Sequence, residues 1–139
     1  MTTIKQTLSA LAFGAAFLAQ PVNANSLPPL SEVPEIDDNM LAVAMAIEIS
    51  DECPTIAPRK LKGLNFLWSL KTRAAEMGYS DDEIRAYVES DEEKDRIRNV
   101  AFDYARAQGV DPTTAQGLCD LGMMEIAKGS VTGSLLRAK

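Results

Sequence analysis

Two cysteines, Cys53 and Cys119, are the residues whose chemistry is easiest to specify in this sequence. They lie 66 residues apart, and no Cys-x-x-Cys pair is present that would lower the pKa of one thiol for redox work. An even cysteine count in an oxidising compartment is most simply explained by a disulfide bond. We therefore predict a structural disulfide bond. In the chain-entropy model, a bond that closes a loop of this length stabilises the folded state by roughly 4 kcal/mol.

The sequence contains no histidine. This absence excludes Ser-His-Asp and Cys-His nucleophiles, the Cys-x-x-Cys-His haem motif and the commonest zinc ligand. No glycine-rich phosphate loop and no calcium-binding loop is present either. We therefore expect no metal ion and no cofactor.

Carboxylate pairs are the conventional catalytic groups that remain. Asp51 with Glu52, or the run Asp81–Glu83, could act as acid and base in the manner of a glycoside hydrolase. Both groups fall at predicted helix termini, where capping and the helix dipole already explain acidic residues. We therefore expect no catalytic residue and no enzymatic activity.

Four residues are candidates for binding because aromatic and arginine side chains are enriched in interaction hot spots. They are Arg59, Trp68, Tyr79 and Arg137. For Trp68, packing in the core from the middle of a helix is the more common explanation. For Tyr79, which follows a helix stop, a contact across the next helix cap is an equally good one.

The first 24 residues have the three regions of a secretory signal peptide. Lys5 supplies the positive region, Leu8–Ala19 form an apolar run of twelve residues, and Val22–Ala24 fit a small-x-Ala cleavage site. The apolar run is shorter than the ~20 residues that a spanning helix needs. We predict cleavage after Ala24, export to the periplasm and no stable membrane insertion afterwards.

The chain is acidic, with a net charge of −6. Removal of the signal peptide takes away one cation, Lys5, and no carboxylate, so the mature charge falls to −7. Such a balance argues against binding to nucleic acid and against adhesion to anionic lipid.

The remainder of the chain predicts a linker followed by helices. Residues 25–37 contain three prolines and predict an extended linker, and residues 38–139 predict a single helical domain. Caps and periodicity predict five helices: one from Asp37 or Asp38 to Cys53, one from Pro58 to Met77, one opening with the Ser80–Glu83 capping box, one from Asp91 to Gly109, and one from Asp111 to Gly129.

The second helix is the one clearly basic helix. Its inward stripe is predicted to be Leu61, Leu64, Trp68 and Ala75, extended by Leu67, Leu70 and Ala74. No strand pattern is found in the mature chain. The fold class expected is all-α, a small irregular or orthogonal bundle of about five helices with one disulfide bond.

Several blocks of the sequence resemble the domain-of-unknown-function family 5333. The blocks are Cys53-Pro54-Thr55 with Arg59, Gly78–Ile84, Cys119, Gly122, Glu125–Ser130 and Gly133–Arg137. The resemblance extends over nearly the whole chain from Asn39 onward. It implies a small exported protein of the alphaproteobacterial type with a shared pair of cysteines, and it transfers no activity, ligand or catalytic residue.

Three functions are consistent with these observations. The first is a non-catalytic periplasmic interaction module that binds another envelope protein, which the very apolar first helix and the basic second helix favour. The second is an acid-responsive holdase, whose clustered carboxylates would lose their charge at low pH and expose apolar helix faces. The third is a carboxylate-based hydrolase of envelope glycans.

Overall fold

The computed structural model describes residues 26–139, and the predicted signal peptide lies outside them. Its elements are a 3-10 turn at Leu30–Glu32, helices α1 Pro34–Glu52, α2 Lys60–Glu76, α3 Asp81–Glu89, α4 Asp91–Ala107, α5 Ala115–Lys128 and α6 Val131–Ser134, and strands β1 Ile56–Pro58 and β2 Leu136–Ala138. The prediction of a small helical bundle is confirmed. None of the helices between residues 26 and 139 has both the length and the apolar character that a bilayer span requires.

The segment before the first predicted helix belongs to the folded domain. α1 begins at Pro34, because proline suits the first turn of a helix, where its missing N–H is not needed. Leu30 in the 3-10 turn and Ile36 in the first turn of α1 are both buried. The prediction of an extended linker over residues 25–37 is therefore wrong for residues 30–37, since the prolines shape a packed segment.

Helix α1 lies at the centre of the domain and contacts α2, α4, α5, α6 and the strand β1. Its buried residues are Ile36, Ala42, Val43, Met45, Ala46 and Ile49. It ends at Glu52, with Cys53 in an extended conformation ahead of Pro54, as predicted. One apolar face of α1 nevertheless reaches solvent, and Ile47 on that face is 54% exposed.

The predicted disulfide bond joins the end of α1 to α5. Cys53 and Cys119 have an S–S distance of 2.00 Å and a Cα–Cα distance of 5.1 Å. Next to this bond α5 packs closely on its neighbours at Gly122, where an added Cβ would lie 2.6 Å from Ile49 Cγ2 and 2.5 Å from Ile56 Cδ1. The glycine is therefore needed for a close helix crossing.

A short antiparallel ribbon joins the segment that follows Cys53 to the segment that follows α6. Strands β1 and β2 pair with Ala57 opposite Arg137 and Pro58 opposite Leu136. The prediction that the mature chain has no strand is wrong. Each strand has three residues, which is too short for an alternation of apolar and polar residues to be recognisable.

Helix α2 lies on the outside of the domain and buries only Leu70 and Ala74. Part of the face that was predicted to point inward is exposed: Leu61 by 74%, Leu64 by 53% and Trp68 by 59%. The apolar residues form two stripes, and only the one through Leu70 and Ala74, which was predicted to extend the first, packs against its neighbours. The predicted core role of Trp68 is therefore wrong.

Local signals place the helix ends well. The capping box at Ser80 and Glu83 opens α3 as predicted, and Gly78, Gly109 and Gly129 have positive φ where helices stop. Three predicted caps are displaced. Val33 rather than Asp37 or Asp38 is the N-cap residue of α1, Ser90 rather than Asp91 caps α4, and Thr114 rather than Asp111 caps α5.

Candidate functional site

The structure separates the four candidate binding residues into two groups. Arg59 and Arg137 are exposed and line one shallow depression, and Trp68 is exposed on α2. Tyr79 is buried, and its hydroxyl donates a hydrogen bond of 2.6 Å to the carbonyl of Pro28. This bond attaches the N-terminal segment to the domain, so the contact of Tyr79 is structural.

The cations that make no ion pair lie together. The described chain has thirteen basic side chains, of which eight are within 4.0 Å of a carboxylate: Lys71, Arg73, Arg85, Lys94, Arg96, Arg98, Arg106 and Lys128. The other five are Arg59, Lys60, Lys62, Arg137 and Lys139, which we call the basic end. Residues 1–25 contain no Asp or Glu side chain, so no such partner is supplied from there.

The ribbon and the start of α2 assemble the basic end. Pairing of β1 with β2 brings Arg137 beside Ala57, while the backbone N–H of Arg59 donates to the Leu135 carbonyl at 2.7 Å. Lys60 is the first residue of α2. An open depression of about 710 Å³ lies at the basic end. It is lined by Ala57, Pro58, Arg59, Lys60, Leu61, Lys62, Asn65 and Arg137.

An exposed apolar stripe continues from the basic end along α2. Leu61, Leu64 and Trp68 are spaced by three and four residues, so they share one side of the helix. The Lys71 ammonium lies 5.7 Å from the centroid of the Trp68 ring. We call Leu61, Leu64 and Trp68 the α2 stripe.

A second apolar surface lies over α1. Three cavities of about 300, 310 and 290 Å³ share lining residues there: Met40 and Val88 line the first and second, Ile47 the second and third, and Leu67 the first and third. We call this surface the α1 basin and define it by these four residues. α1 forms its floor, and α2, α3 and α4 contribute its walls.

Charges of both signs surround the α1 basin. The Glu48 carboxylate lies 3.7 Å from Arg98, and the Lys71 ammonium lies 3.1 Å from Asp81. All four of these residues line the cavities. The rim is thus paired and mixed around the first and second cavities, whereas Arg59 and Lys60 of the basic end line the third.

The carboxylates considered for catalysis have structural partners or lie in the open. The Glu83 carboxylate accepts hydrogen bonds from the N–H of Ser80 at 2.7 Å and from its hydroxyl at 2.8 Å. These bonds lower the pKa of Glu83. Asp51 and Glu52 are exposed at the end of α1. Helix capping therefore accounts for Glu83.

One buried carboxylate was missed by reasoning from the sequence. Glu125 on α5 is 2% exposed and accepts hydrogen bonds from the Tyr104 hydroxyl at 2.7 Å and the Lys128 ammonium at 3.2 Å. Burial raises the pKa of Glu125, but hydrogen bonds from Ser130, Tyr104 and Lys128 outweigh it, and the net pKa is lowered. The sequence feature that could have identified Glu125 as buried is its position on the apolar side of α5, after Leu118 and Leu121.

Within residues 26–139, no group of three or more Cys, Asp or Glu side chains is arranged to hold a metal ion. The fold and its surfaces define a disulfide-linked helical domain that presents two apolar surfaces, one in a basin and one on a basic helix.

The chain belongs to the family described as "Family of unknown function (DUF5333)", which it matches over residues 28–137. The resemblance inferred from the sequence blocks is confirmed, and the match begins well before Asn39. No curated protein and no solved structure matches the chain. Family membership is therefore established, while the function has to be argued from the surfaces.

Proposed function

We propose that this protein is a non-catalytic, exported interaction module that binds an amphipathic helix of another envelope protein in the α1 basin. The observation that carries the proposal is the exposure of apolar side chains in a concave surface, with Ile47 54% and Val88 46% exposed. Large exposed apolar patches on a soluble domain commonly mark interaction sites.

The shape of the α1 basin favours a helix as its occupant. Three adjoining cavities of similar size lie over α1, and Ile47 lines two of them. An amphipathic helix presents large side chains three, four and seven residues apart to such grooves. A polar rim around an apolar centre is the usual anatomy of a protein interface. The paired charges of Glu48 with Arg98 and of Lys71 with Asp81 supply such a rim.

Export is supported by the chemistry of the chain. A disulfide bond between Cys53 and Cys119 suits an oxidising compartment, and the first 24 residues have a signal-peptide pattern. A partner would accordingly be an envelope protein.

Affinity purification of the tagged protein from its native envelope, followed by mass spectrometry, tests the proposal. We expect a specific exported protein to copurify and to be lost from the variants Ile47→Asp and Val88→Asp, because each places a charge in the apolar interface. Met123→Asp is the matched control, since Met123 is a comparably exposed residue of α5. It should retain the partner, and circular dichroism should show all three variants folded.

A strictly monomeric protein with which nothing copurifies would contradict the proposal. Recovery of this chain alone, as a dimer whose dissociation follows Ile47→Asp, would replace the partner protein by a second copy.

Two alternative functions keep their own tests. Failure to suppress aggregation of a client protein at low pH would dispose of the acid-responsive holdase. Retention of every activity found in an extract by the variants Glu52→Gln and Glu83→Gln would remove the glycan hydrolase, for which the capping role of Glu83 is already unfavourable.

A further inference from the structure

We propose that the basic end and the α2 stripe together form a docking surface for an anionic lipid leaflet. This function goes beyond the one proposed for the α1 basin, although the two surfaces adjoin: Arg59, Lys60 and Leu64 also line the third cavity of the basin. Two kinds of side chain on one surface identify this ligand. The cations would bind phosphate-bearing head groups, and the exposed leucines and tryptophan would insert at the boundary between the head groups and the acyl chains.

The charge argument rests on segregation. Among residues 26–139, all five cations without an ion-pair partner lie at one end of the domain, while each of the other eight is matched by a nearby carboxylate. α2 carries no carboxylate between Lys60 and Ala75. A surface whose charges have one sign attracts a surface of the opposite charge. Each Lys or Arg near an anionic membrane contributes about 1 kcal/mol to the free energy of binding.

The apolar argument rests on the direction of the α2 stripe. Leu61, Leu64 and Trp68 project away from the side of α2 that buries Leu70 and Ala74. A helix with leucine and tryptophan on one side and lysines beside them lies in the membrane interface, with its apolar side in the acyl boundary. The 74% exposure of Leu61, next to Lys60 and Lys62, places an apolar contact among the cations.

The same surface fits a protein partner less well. The α1 basin is concave and has a rim of both signs, as protein interfaces do. The α2 stripe projects, and Lys60 and Lys62 beside Leu61 make no ion pair, whereas Lys71 beside Trp68 is paired with Asp81. A projecting stripe next to unpaired cations suits a fluid surface of uniform negative charge.

The net negative charge of the molecule does not oppose this docking at close range. Exposed charges are screened over about 10 Å in 0.1 M salt, so the sign of the nearest side chains decides contact with a membrane. Asp51 and Glu52, at the end of α1, are the carboxylates closest in sequence to the basic end. The expectation from net charge that the protein avoids anionic lipid is thus reversed for this face.

Vesicle binding tests the proposal with a built-in reporter. Trp68 is the one tryptophan of the protein, so its fluorescence reports this surface alone. The chain from Asn25 to Lys139 is the form to use, since it contains every residue of both hydrophobic clusters and lacks the apolar run Leu8–Ala19, which would itself bind vesicles.

We expect this chain to sediment with vesicles of equal parts phosphatidylglycerol and phosphatidylcholine. Trp68 emission should shift to shorter wavelength on binding. Neither effect is expected with pure phosphatidylcholine vesicles, and added sodium chloride should release the protein, because the attraction is screened.

The charge variant is Lys60→Gln/Lys62→Gln/Arg137→Gln. Loss of three cations should lower partition onto phosphatidylglycerol vesicles on the order of a hundredfold, at about 1 kcal/mol each and 1.4 kcal/mol per factor of ten. The matched control is Arg85→Gln/Lys94→Gln/Arg106→Gln, which changes the net charge equally at three paired cations. The control should stay within a few-fold of the parent chain.

The apolar variant is Leu61→Asn/Leu64→Asn, with Met123→Asn/Val131→Asn as its control at exposed apolar residues elsewhere. The first should weaken binding and abolish the shift of Trp68 emission, while the second should leave both intact.

Four results would overturn the proposal. The first is equal binding to charged and uncharged vesicles. The second is an equal loss for both triple variants. The third is release by inorganic phosphate far below the ionic strength at which sodium chloride acts, which would make the basic end a site for free anions. Capture of an acidic envelope protein that requires Lys60 and Lys62, with no vesicle binding, would assign this surface to a protein instead.

Discussion

The region around the disulfide bond and the region of α2 and α3 are packed differently. A methyl group added at Gly133, in α6, would lie 1.9 Å from the Glu125 carbonyl oxygen, whereas one added at Gly63, in α2, would meet nothing within 4 Å. α5 alone contributes Gly117, Leu118, Leu121, Gly122 and Glu125 to the interior, while α2 contributes Leu70 and Ala74. We call these regions the disulfide half and the α2–α3 half.

The difference teaches how a small domain can combine a rigid frame with exposed apolar surface. The disulfide half supplies close packing and a covalent link, and the α2–α3 half supplies side chains to both proposed binding surfaces. Apolar residues on α2 are available to partners because few neighbours cover that helix. Binding segments in proteins are commonly drawn from such weakly covered elements.

Removal of the disulfide bond should have the largest effect on stability. Replacement of Cys53 and Cys119 by alanine should lower the free energy of unfolding by roughly 4 kcal/mol, because the unfolded chain gains the freedom of a 66-residue loop. Urea unfolding of the variant and of the parent, with and without dithiothreitol, measures this change. A loss below about 1 kcal/mol would show that packing, rather than the bond, holds the disulfide half.

Two Gly→Ala substitutions, one in each half, should change the free energy of unfolding in opposite directions. Gly133→Ala should cost about 3 kcal/mol, because the new methyl group meets backbone atoms that have no room to move. Gly63→Ala should instead stabilise by about 0.5–1 kcal/mol, because alanine is the better helix former and finds open space. Chemical denaturation measures both, and losses of similar size would contradict the contrast between the halves.

The buried carboxylate of the disulfide half should respond to pH. The folded pKa of Glu125 lies below the ordinary 4.5, so its contribution to stability is complete above that value and is lost as pH falls through the folded pKa. Tyr104→Phe removes one hydrogen bond to this charge and should cost about 1.5–2 kcal/mol at neutral pH.

The cost of Tyr104→Phe should shrink at pH values below the folded pKa, where Glu125 is neutral and the bond is weaker. Unfolding curves at several pH values for parent and variant measure it. A cost that does not change with pH would mean that Tyr104 acts through packing alone.

The capping box of the α2–α3 half should have the smallest effect of this series. Ser80→Ala removes the side-chain acceptor for the Glu83 N–H and should cost about 1 kcal/mol. Ser69→Ala, on the exposed side of α2, is the control and should be nearly neutral. Thermal unfolding followed by circular dichroism compares the stability of the two variants. Equal effects would show that the cap does not contribute to the stability of the α2–α3 half.

Several features of the fold were predictable because they depend on a few consecutive residues. Pro54 ends α1, Gly78 and Gly129 end α2 and α5, and Ser80 opens α3, each through backbone geometry or a hydrogen bond within one turn. The cysteine pair was predictable from their count. The displaced cap at Thr114 shows the limit of such rules, since Asp111 accepts instead from the N–H of Thr113 in the preceding turn.

The candidate site was predictable only in its residue types. Arg59, Arg137 and Trp68 were identified as binding candidates, but the basic end requires two segments far apart in the chain to meet through strands of three residues. The α1 basin was not foreseen as a shape, since it depends on how far α2 and α4 stand from each other over α1.

The sequence by itself determined the helical class, the helix stops and the disulfide pair, because periodicity, caps and cysteine count act locally or by elimination. The resemblance of several sequence blocks identified the family. The tertiary structure alone decided which of the two apolar stripes of α2 is buried, where the unpaired cations gather, and that Glu125 is enclosed. The physical reason is that burial and charge pairing depend on neighbours brought close by folding, and a helix with apolar residues on two sides carries no mark of which side its neighbours will cover.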